Sequence, residues 1–295
     1  MLDASSGRRF GGGSLRTTIF LERGFRAHVV HRDRLLVDTR FAPPVRRPST
    51  KVHLYAQVRG TLHIAGQNAV EGPQAYLLAE SEFDRVHADS LTFRSHGAPG
   101  VVVELKLPAA DARCPIGLRN GPVPLSNDVW DAYAALEANP APPAFRLLVE
   151  RLVASGVVST KLTITDEPER FTRIWSVLRP LYEDYATSTS LKQISILSRL
   201  SLRQLGRDLS EFARTFELFG TGYREAIRML RLRAAVLFLS APDGTPSEVA
   251  REVGYGSLDA MDRAFRDAKL PAPTVIQQAV RYRERNPDQS GTQVD

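Results

Sequence analysis

The chain has 295 residues, enough for one large domain or for two ordinary domains that each bury a core. With 43% hydrophobic and 24% charged residues, and no apolar run as long as a membrane span, the composition indicates a globular protein rather than a membrane protein. The net charge of +6 is too small to indicate a nucleic-acid partner by itself, so its distribution matters more.

The first 18 residues are rich in glycine and arginine, and we expect residues 1–18 to form a flexible tail. They lack the apolar core and the small-residue cleavage site of a signal peptide. The single cysteine, Cys114, excludes an internal disulfide bond and a cysteine-based zinc site, which fits a reducing compartment. We therefore expect a cytoplasmic protein.

Residues 19–125 contain short alternating runs broken by glycine and proline, such as KVHLYAQVRGTLHIAG from Lys51. Consecutive strands without intervening helices predict an antiparallel barrel or sandwich. This segment is the predicted β-rich regulatory domain.

Residues 126–185 show helical periodicity with proline or acidic starts and predict a helical connector. Its apolar faces would either pair two copies in a homodimer or pack against the β-rich domain. Residues 186–285 read as helical throughout, and residues 286–295 as a second flexible tail. The apolar residues of the connector are Trp130, Tyr133, Leu147, Leu148, Leu152, Trp175, Leu178 and Leu181.

The helical carboxy-terminal third carries the densest basic excess and an internal repeat. SLRQLGRDLSEF from Ser201 aligns with SLDAMDRAFRDA from Ser257 at an offset of 56, with both serines as predicted helix N-caps. Upstream, Ser195 and Arg199 align with Ala250 and Gly254 at an offset of 55. The second turn is therefore predicted to be one residue longer than the first.

This spacing is typical of a helix-turn-helix unit, in which a small residue lets the helices cross and glycine supplies a positive φ in the turn. Ala250 and Gly254 are those residues in the second unit. A simple helical hairpin has the same features, but two units in register favour a duplicated motif whose second helices enter a DNA major groove.

Residues 223–240 predict one connecting helix, and at 1.5 Å per residue its length of roughly 27 Å approaches the roughly 34 Å between successive major-groove faces. Arg224, Arg228 and Arg231 follow one side of it. They are either phosphate contacts or a solvated charged face.

The repeat and the connecting helix together resemble a known family of proteins. Residues 190–280 resemble the DNA-binding domain of the AraC/XylS family of bacterial transcription regulators. The most specific parts of the match are GYGSLDAMDRAFR and SLRQLGRDL followed by RLRAA. GTLHIAG and YLLAESEF resemble, less specifically, the family's cupin-like effector domain. Arg199 stands where the first turn of the family usually has glycine.

The resemblance implies an α+β chain with an amino-terminal cupin-like β-barrel, a helical connector, and a carboxy-terminal all-α domain with two helix-turn-helix units joined by a long helix. It implies a sequence-specific DNA-binding transcription regulator with double-stranded DNA as partner and no cofactor. A small effector in the barrel, homodimer formation and contact with RNA polymerase are further implications of the family.

The candidate DNA contacts fall into two sets. The first helix carries two arginines and no acid among its groove-facing positions, so we expect it to supply most base reading, whereas aspartates offset arginines on the second. The base-reading candidates are Arg203, Gln204, Arg207, Asp259, Asp262 and Arg263. The phosphate candidates are Ser201, Arg224, Arg228, Arg231, Ser257 and Arg266.

The rival interpretation is a cupin-like metal-dependent enzyme with a helical appendage. Such a site needs two or three converging histidines and a carboxylate, and here only His53 and His63 lie on neighbouring strand-like runs. The common hydrolase, phosphate-loop and zinc-protease signatures are absent from the sequence. We expect no catalytic and no metal-binding residues.

Overall fold

The computed structural model describes residues 1–38, 41, 43, 51–64, 70–79, 91–94, 99–112, 121–159, 162, 167–216 and 223–285. The predicted tail at 286–295 and the residues Cys114, His87 and His96 lie outside these ranges, as does the side chain of His63. In the described ranges no helix is both long and apolar enough to cross a membrane.

The amino-terminal half forms two antiparallel sheets. The strands are β1 Leu2–Phe10, β2 Gly13–Glu22, β3 Phe25–Asp33, β4 Val37–Asp38, β5 Lys51–Arg59, β6 Thr61–Ile64, β7 Val70–Glu71, β8 Gln74–Ala79, β9 Leu91–Arg94, β10 Gly100–Pro108 and β11 Gly121–Pro122. Seven of them make a sheet in the order β1-β2-β3-β10-β5-β8-β11, and four make a second in the order β4-β9-β6-β7. The described strands thus form two sheets with open edges, and the expected closed barrel is not formed.

The expected tail at residues 1–18 is instead strand β1 and much of β2, paired from Leu2↔Leu21 to Phe10↔Gly13. Gly11 and Gly12 have φ of 52° and 80°, which a tight two-residue hairpin turn requires. The composition predicts a tail here because β1 is mostly small and polar and has little of the pattern typical of a strand. Its edge is covered by a helix, since Trp175 Nε1 donates to the Asp3 carbonyl at 3.0 Å.

The helices follow the sheets. They are α1 Asn127–Ala138, α2 Pro142–Ala154, α3 Glu169–Glu183, α4 Leu191–Ser198, α5 Leu202–Thr215, α6 Tyr223–Phe238, α7 Pro246–Glu252, α8 Leu258–Asp267 and α9 Pro273–Arg285. Successive residues of β2 point to opposite faces of the large sheet. Phe20 stacks on Phe145 of α2 at 4.7 Å, whereas Ile19 and Leu21 join the core formed with α3, α5 and α6. The large sheet is therefore packed between the α1–α2 hairpin and the later helices.

The apolar faces of the connector are used inside the chain. Tyr133, Leu148 and Leu152 are fully buried in the core beneath α1 and α2, and Leu147 is 37% exposed. Residues of α3, including Trp175, pack with α5 instead, so α3 belongs with the helices that follow it. Of the two alternatives, packing against the β-rich domain is found for α1 and α2, and homodimer formation stays a prediction.

Candidate nucleic-acid interface

Two helix pairs, α4–α5 and α7–α8, repeat the same backbone path. In the first, Arg199 has φ 56° and the Leu200 N–H donates to the Ser195 carbonyl at 3.1 Å. In the second, Gly254 has φ 86° and the Tyr255 N–H donates to the Ala250 carbonyl at 2.7 Å. The equivalent residues differ by 55 in number, as the sequence alignment predicts.

The second helix of each pair is capped by its predicted serine. Ser201 Oγ accepts from the Gln204 N–H at 3.3 Å, and Ser257 Oγ accepts from the Ala260 N–H at 3.2 Å. One residue lies between Arg199 and its cap Ser201, and two lie between Gly254 and its cap Ser257, so the predicted extra residue in the second turn is confirmed.

Each of these second helices buries one side and exposes the other. Leu205 and Leu209 of α5 are buried, and so are the equivalent Met261 and Phe265 of α8. This two-sidedness follows from apolar residues four apart on a polar helix. The buried sides leave the candidate DNA contacts on the solvent side.

On α5 the exposed face is basic. Arg203, Gln204 and Arg207 are exposed, and neither arginine forms an ion pair with any described residue. The acidic Glu211 lies farther along the helix and binds Arg170 of α3 at 2.6 Å. Within the part of the chain that the structure describes, no carboxylate therefore occupies either guanidinium group.

On α8 the exposed face is mixed in charge. Asp262 Oδ2 accepts from Arg266 Nη2 at 2.9 Å, which confirms the pairing of these two residues expected from their spacing. Asp259 and Arg263 are both exposed, and the described contacts include no such pair between them. The second helix thus presents a partly neutralised surface.

The arginine stripe on α6 has three different environments. Arg224 is exposed, and Arg228 pairs with Glu225 at 3.2 Å. Arg231 donates to the carbonyls of Tyr185 and Ala186 at 2.8 and 3.1 Å, so its donors hold the segment before α4. We therefore assign Arg231 a structural role and remove it from the phosphate candidates. The spacing of the three arginines along the sequence does not predict this role.

The large sheet also contacts the second helix pair. Arg8 of β1 donates a hydrogen bond of 2.9 Å to Oε1 of Glu252, the last residue of α7. Arg8 also forms an ion pair with Asp184. The ring of Phe10 lies 5.4 Å from that of Phe238 at the end of α6. The β1–β2 hairpin is thereby fixed to the helices that carry the second pair.

A cavity of about 200 Å³ lies between the large sheet and α6. Its wall is mainly apolar and includes Leu15, Ile19, Val30, Leu230 and Leu237. No sequence pattern predicts this cavity, because its lining comes from strands and helices far apart in the chain.

The lining of the same cavity also includes His28, Glu104 and Arg233. Burial, helped by the charge of Arg26, lowers the pKa of His28 to about 3. Burial works to raise the pKa of Glu104, but the hydrogen bond from His53, 2.5 Å long, and nearby positive charges hold it well below its usual range. Burial also lowers the pKa of Arg233, to about 10.

The rival interpretation, a metal-dependent enzyme, requires converging histidine and carboxylate ligands. His53 contacts Glu104, and His28 Nδ1 lies 3.9 Å from the same carboxylate. Within the described ranges, no group of three or more histidine, cysteine, aspartate or glutamate residues is arranged to hold a metal ion.

No family model matches the sequence, and no curated protein matches it. Solved structures do. The DNA-binding domain of AdpA, the global transcriptional factor, in complex with a target DNA, is 21% identical over 39% of this chain and 97% of that one, with a TM-score of 0.33. Unsaturated fatty acid-bound ToxT from Vibrio cholerae strain SCE256 is 12% identical over 88% and 96%, with a TM-score of 0.36.

The AraC-like transcriptional activator CuxR is 13% identical over 76% of this chain and 81% of that one, with a TM-score of 0.27. These structural neighbours include DNA-binding and AraC-like regulators of transcription. At such identities and scores the likeness by itself assigns this chain no function, which has to be argued from its own residues.

Proposed function

We propose that this chain is a sequence-specific DNA-binding regulator of transcription of the AraC/XylS kind, in which α4–α5 and α7–α8 are two helix-turn-helix units. The observation that carries the proposal is the repeat itself. The turn hydrogen bonds of Ser195 and Ala250 recur at one offset, and each turn leads to a serine-capped helix with an exposed polar face. A chance helical hairpin does not repeat these features in register.

Each unit has its own role in the proposal. Arg203 and Arg207 bind guanine O6 and N7 from the first helix, and Gln204 binds adenine, because these side chains match those base edges in bidentate geometry. On the second helix, Asp259, Asp262 and Arg263 add weaker base contacts. The phosphate contacts are Ser201, Ser257, Arg224, Arg228 and Arg266, with Arg228 leaving Glu225 on binding.

The proposed effector site is the cavity between the large sheet and α6. Its apolar wall and its ionisable residues suit a small amphipathic molecule. Since α6 joins the two units, a ligand that shifts it against the sheet would change how both units meet DNA. Homodimer formation and contact with RNA polymerase stay predictions from the family resemblance.

The test of DNA binding is selection of duplexes from a random library by the full chain, followed by affinity measurements at two salt concentrations. A sequence-specific regulator retains a large preference for the selected duplex at both salt concentrations. A protein that binds DNA only through its overall charge loses affinity for all duplexes equally as the salt concentration rises. Recovery of unrelated sequences with equal affinity would contradict the proposal.

The effector site has a separate test. A ligand that binds only the folded protein raises its melting temperature, so a panel of small amphipathic molecules is screened by thermal shift. Ala234 lies on the α6 side of the cavity, and Ala234→Leu should fill it and abolish any shift. A shift that persists in this variant would place the ligand elsewhere.

A further inference from the structure

Gly206 lies in the interior of α5, on the exposed face between Arg203 and Arg207. Glycine in a helix interior costs stability relative to alanine because it loses more conformational freedom on folding. Neither usual reason for glycine applies, since its φ is not positive and no heavy atom of a described residue lies within 4 Å of a Cβ built on it. Nothing in the described parts of the chain itself therefore requires glycine here.

The equivalent position on α8 differs in bulk and charge. Asp262 stands there, joined to Arg266, whose side chain is 73% exposed. The two helices thus present unlike surfaces at the same place. On α5 the bare backbone is flanked by two guanidinium groups that form no ion pair with a described residue, and on α8 an ion pair projects into solvent.

We propose that Gly206 is the point of closest approach between the protein and DNA and sets how deeply α5 enters the major groove. This inference rests on the proposed function and makes Gly206 a specificity-determining position without a side chain of its own. With no Cβ at this point, the helix backbone lies close to the base edges and Arg203 and Arg207 reach guanine from both sides. The second helix, held off by its ion pair, sits at a shallower depth.

The proposal predicts effects of opposite sign on folding and on binding. Gly206→Ala should raise the melting temperature by about 2 °C, because alanine is the better helix former and has room. The same variant should bind the duplex selected by the wild-type chain ~10-fold more weakly, the order of loss expected for a lost base contact. Gly206→Leu, with a larger side chain in the same open space, should weaken binding further.

Gly7 supplies the matched control, because it is an exposed glycine of β1 with no described atom within 4 Å of its Cβ position. Gly7→Ala should leave DNA affinity unchanged. A Gly206→Ala protein that binds the selected duplex as tightly as the wild type, or more tightly, would overturn the inference while leaving DNA binding intact. A wild-type chain that prefers no duplex would instead contradict the proposed function itself.

Discussion

Gly254 lies so close to Ala186 that a Cβ on the glycine would stand 2.4 Å from the main-chain oxygen of Ala186. The same oxygen accepts a hydrogen bond from Arg231 of α6 at 3.1 Å. The turn of the second helix pair, the connecting helix and the segment before α4 therefore meet at one carbonyl, which fixes the two pairs relative to each other.

Gly254→Ala should destabilise the protein by about 2–3 kcal/mol, because the residue has a positive φ and the added carbon meets backbone that cannot yield cheaply. Urea unfolding followed by circular dichroism measures the change. Gly256→Ala is the control, since Gly256 lies in the same turn with no described atom within 4 Å of its Cβ position. Equal midpoints for the two variants would show that the Ala186 contact does not constrain the turn.

Arg199→Gly should have the opposite effect and stabilise the protein by about 0.5–1 kcal/mol, since Arg199 holds the left-handed conformation that glycine adopts without strain. Arg199→Ala removes the same exposed side chain and keeps the strain, so it should give no gain. If both variants shift the urea midpoint alike, the side chain and not the backbone is responsible.

Arg207→Ala should weaken specific DNA binding by about 1–3 kcal/mol, whereas Arg263→Ala at the equivalent place on α8 should cost less. The reason is that the face of α5 is basic and that of α8 is partly neutralised by Asp262 and Arg266. Titrations of both variants against the selected duplex at one salt concentration measure the difference. Equal losses would contradict the unequal roles of the two units.

The stability of the protein should fall as the pH drops from 6.5 to 4.5. His28 has a folded pKa of about 3 against an ordinary 6.5, so in this range the unfolded chain takes up a proton that the folded chain does not. The charged and titratable groups that interact with His28 are those of Arg26, Glu104, Arg233 and His53. The depressed pKa of Glu104 acts in the same direction, but mainly at the acid end of this range and below it.

His28→Gln should therefore flatten the dependence of the urea midpoint on pH between 6.5 and 4.5. Partial burial and the charges of Arg16 and Arg59 lower the pKa of His31 to about 4, so His31 contributes in the same direction. His31→Gln serves as the comparison variant. A His28→Gln protein with the full wild-type pH dependence would show that this histidine is not buried in its neutral form.

The repeat made the carboxy-terminal half predictable. Ser201 and Ser257 are cap residues, and the buried pairs Leu205 with Met261 and Leu209 with Phe265 follow helical spacing, so local signals and tertiary packing agree there. Arg199 shows the limit of that reasoning. Its unusual φ is imposed by the turn, although its side chain gives no sign of it.

The amino-terminal half was less predictable, because its contacts join distant parts of the chain. Strand β1 is stabilised by pairing with β2 and by the bond from Trp175 to Asp3, neither of which leaves a pattern in DASSGRRF. The role of Arg231 depends likewise on where residues 185 and 186 pass. The cavity beside α6 is formed by the same long-range packing.

The most direct test of the account is guanine N7 methylation interference on the selected duplex, which reports protein contacts in the major groove base by base. Two reading helices on one DNA face predict two clusters of interfering guanines about one helical turn apart, and Arg207→Ala should erase one of them. A single cluster, or none, would contradict a protein that reads DNA with two helix-turn-helix units.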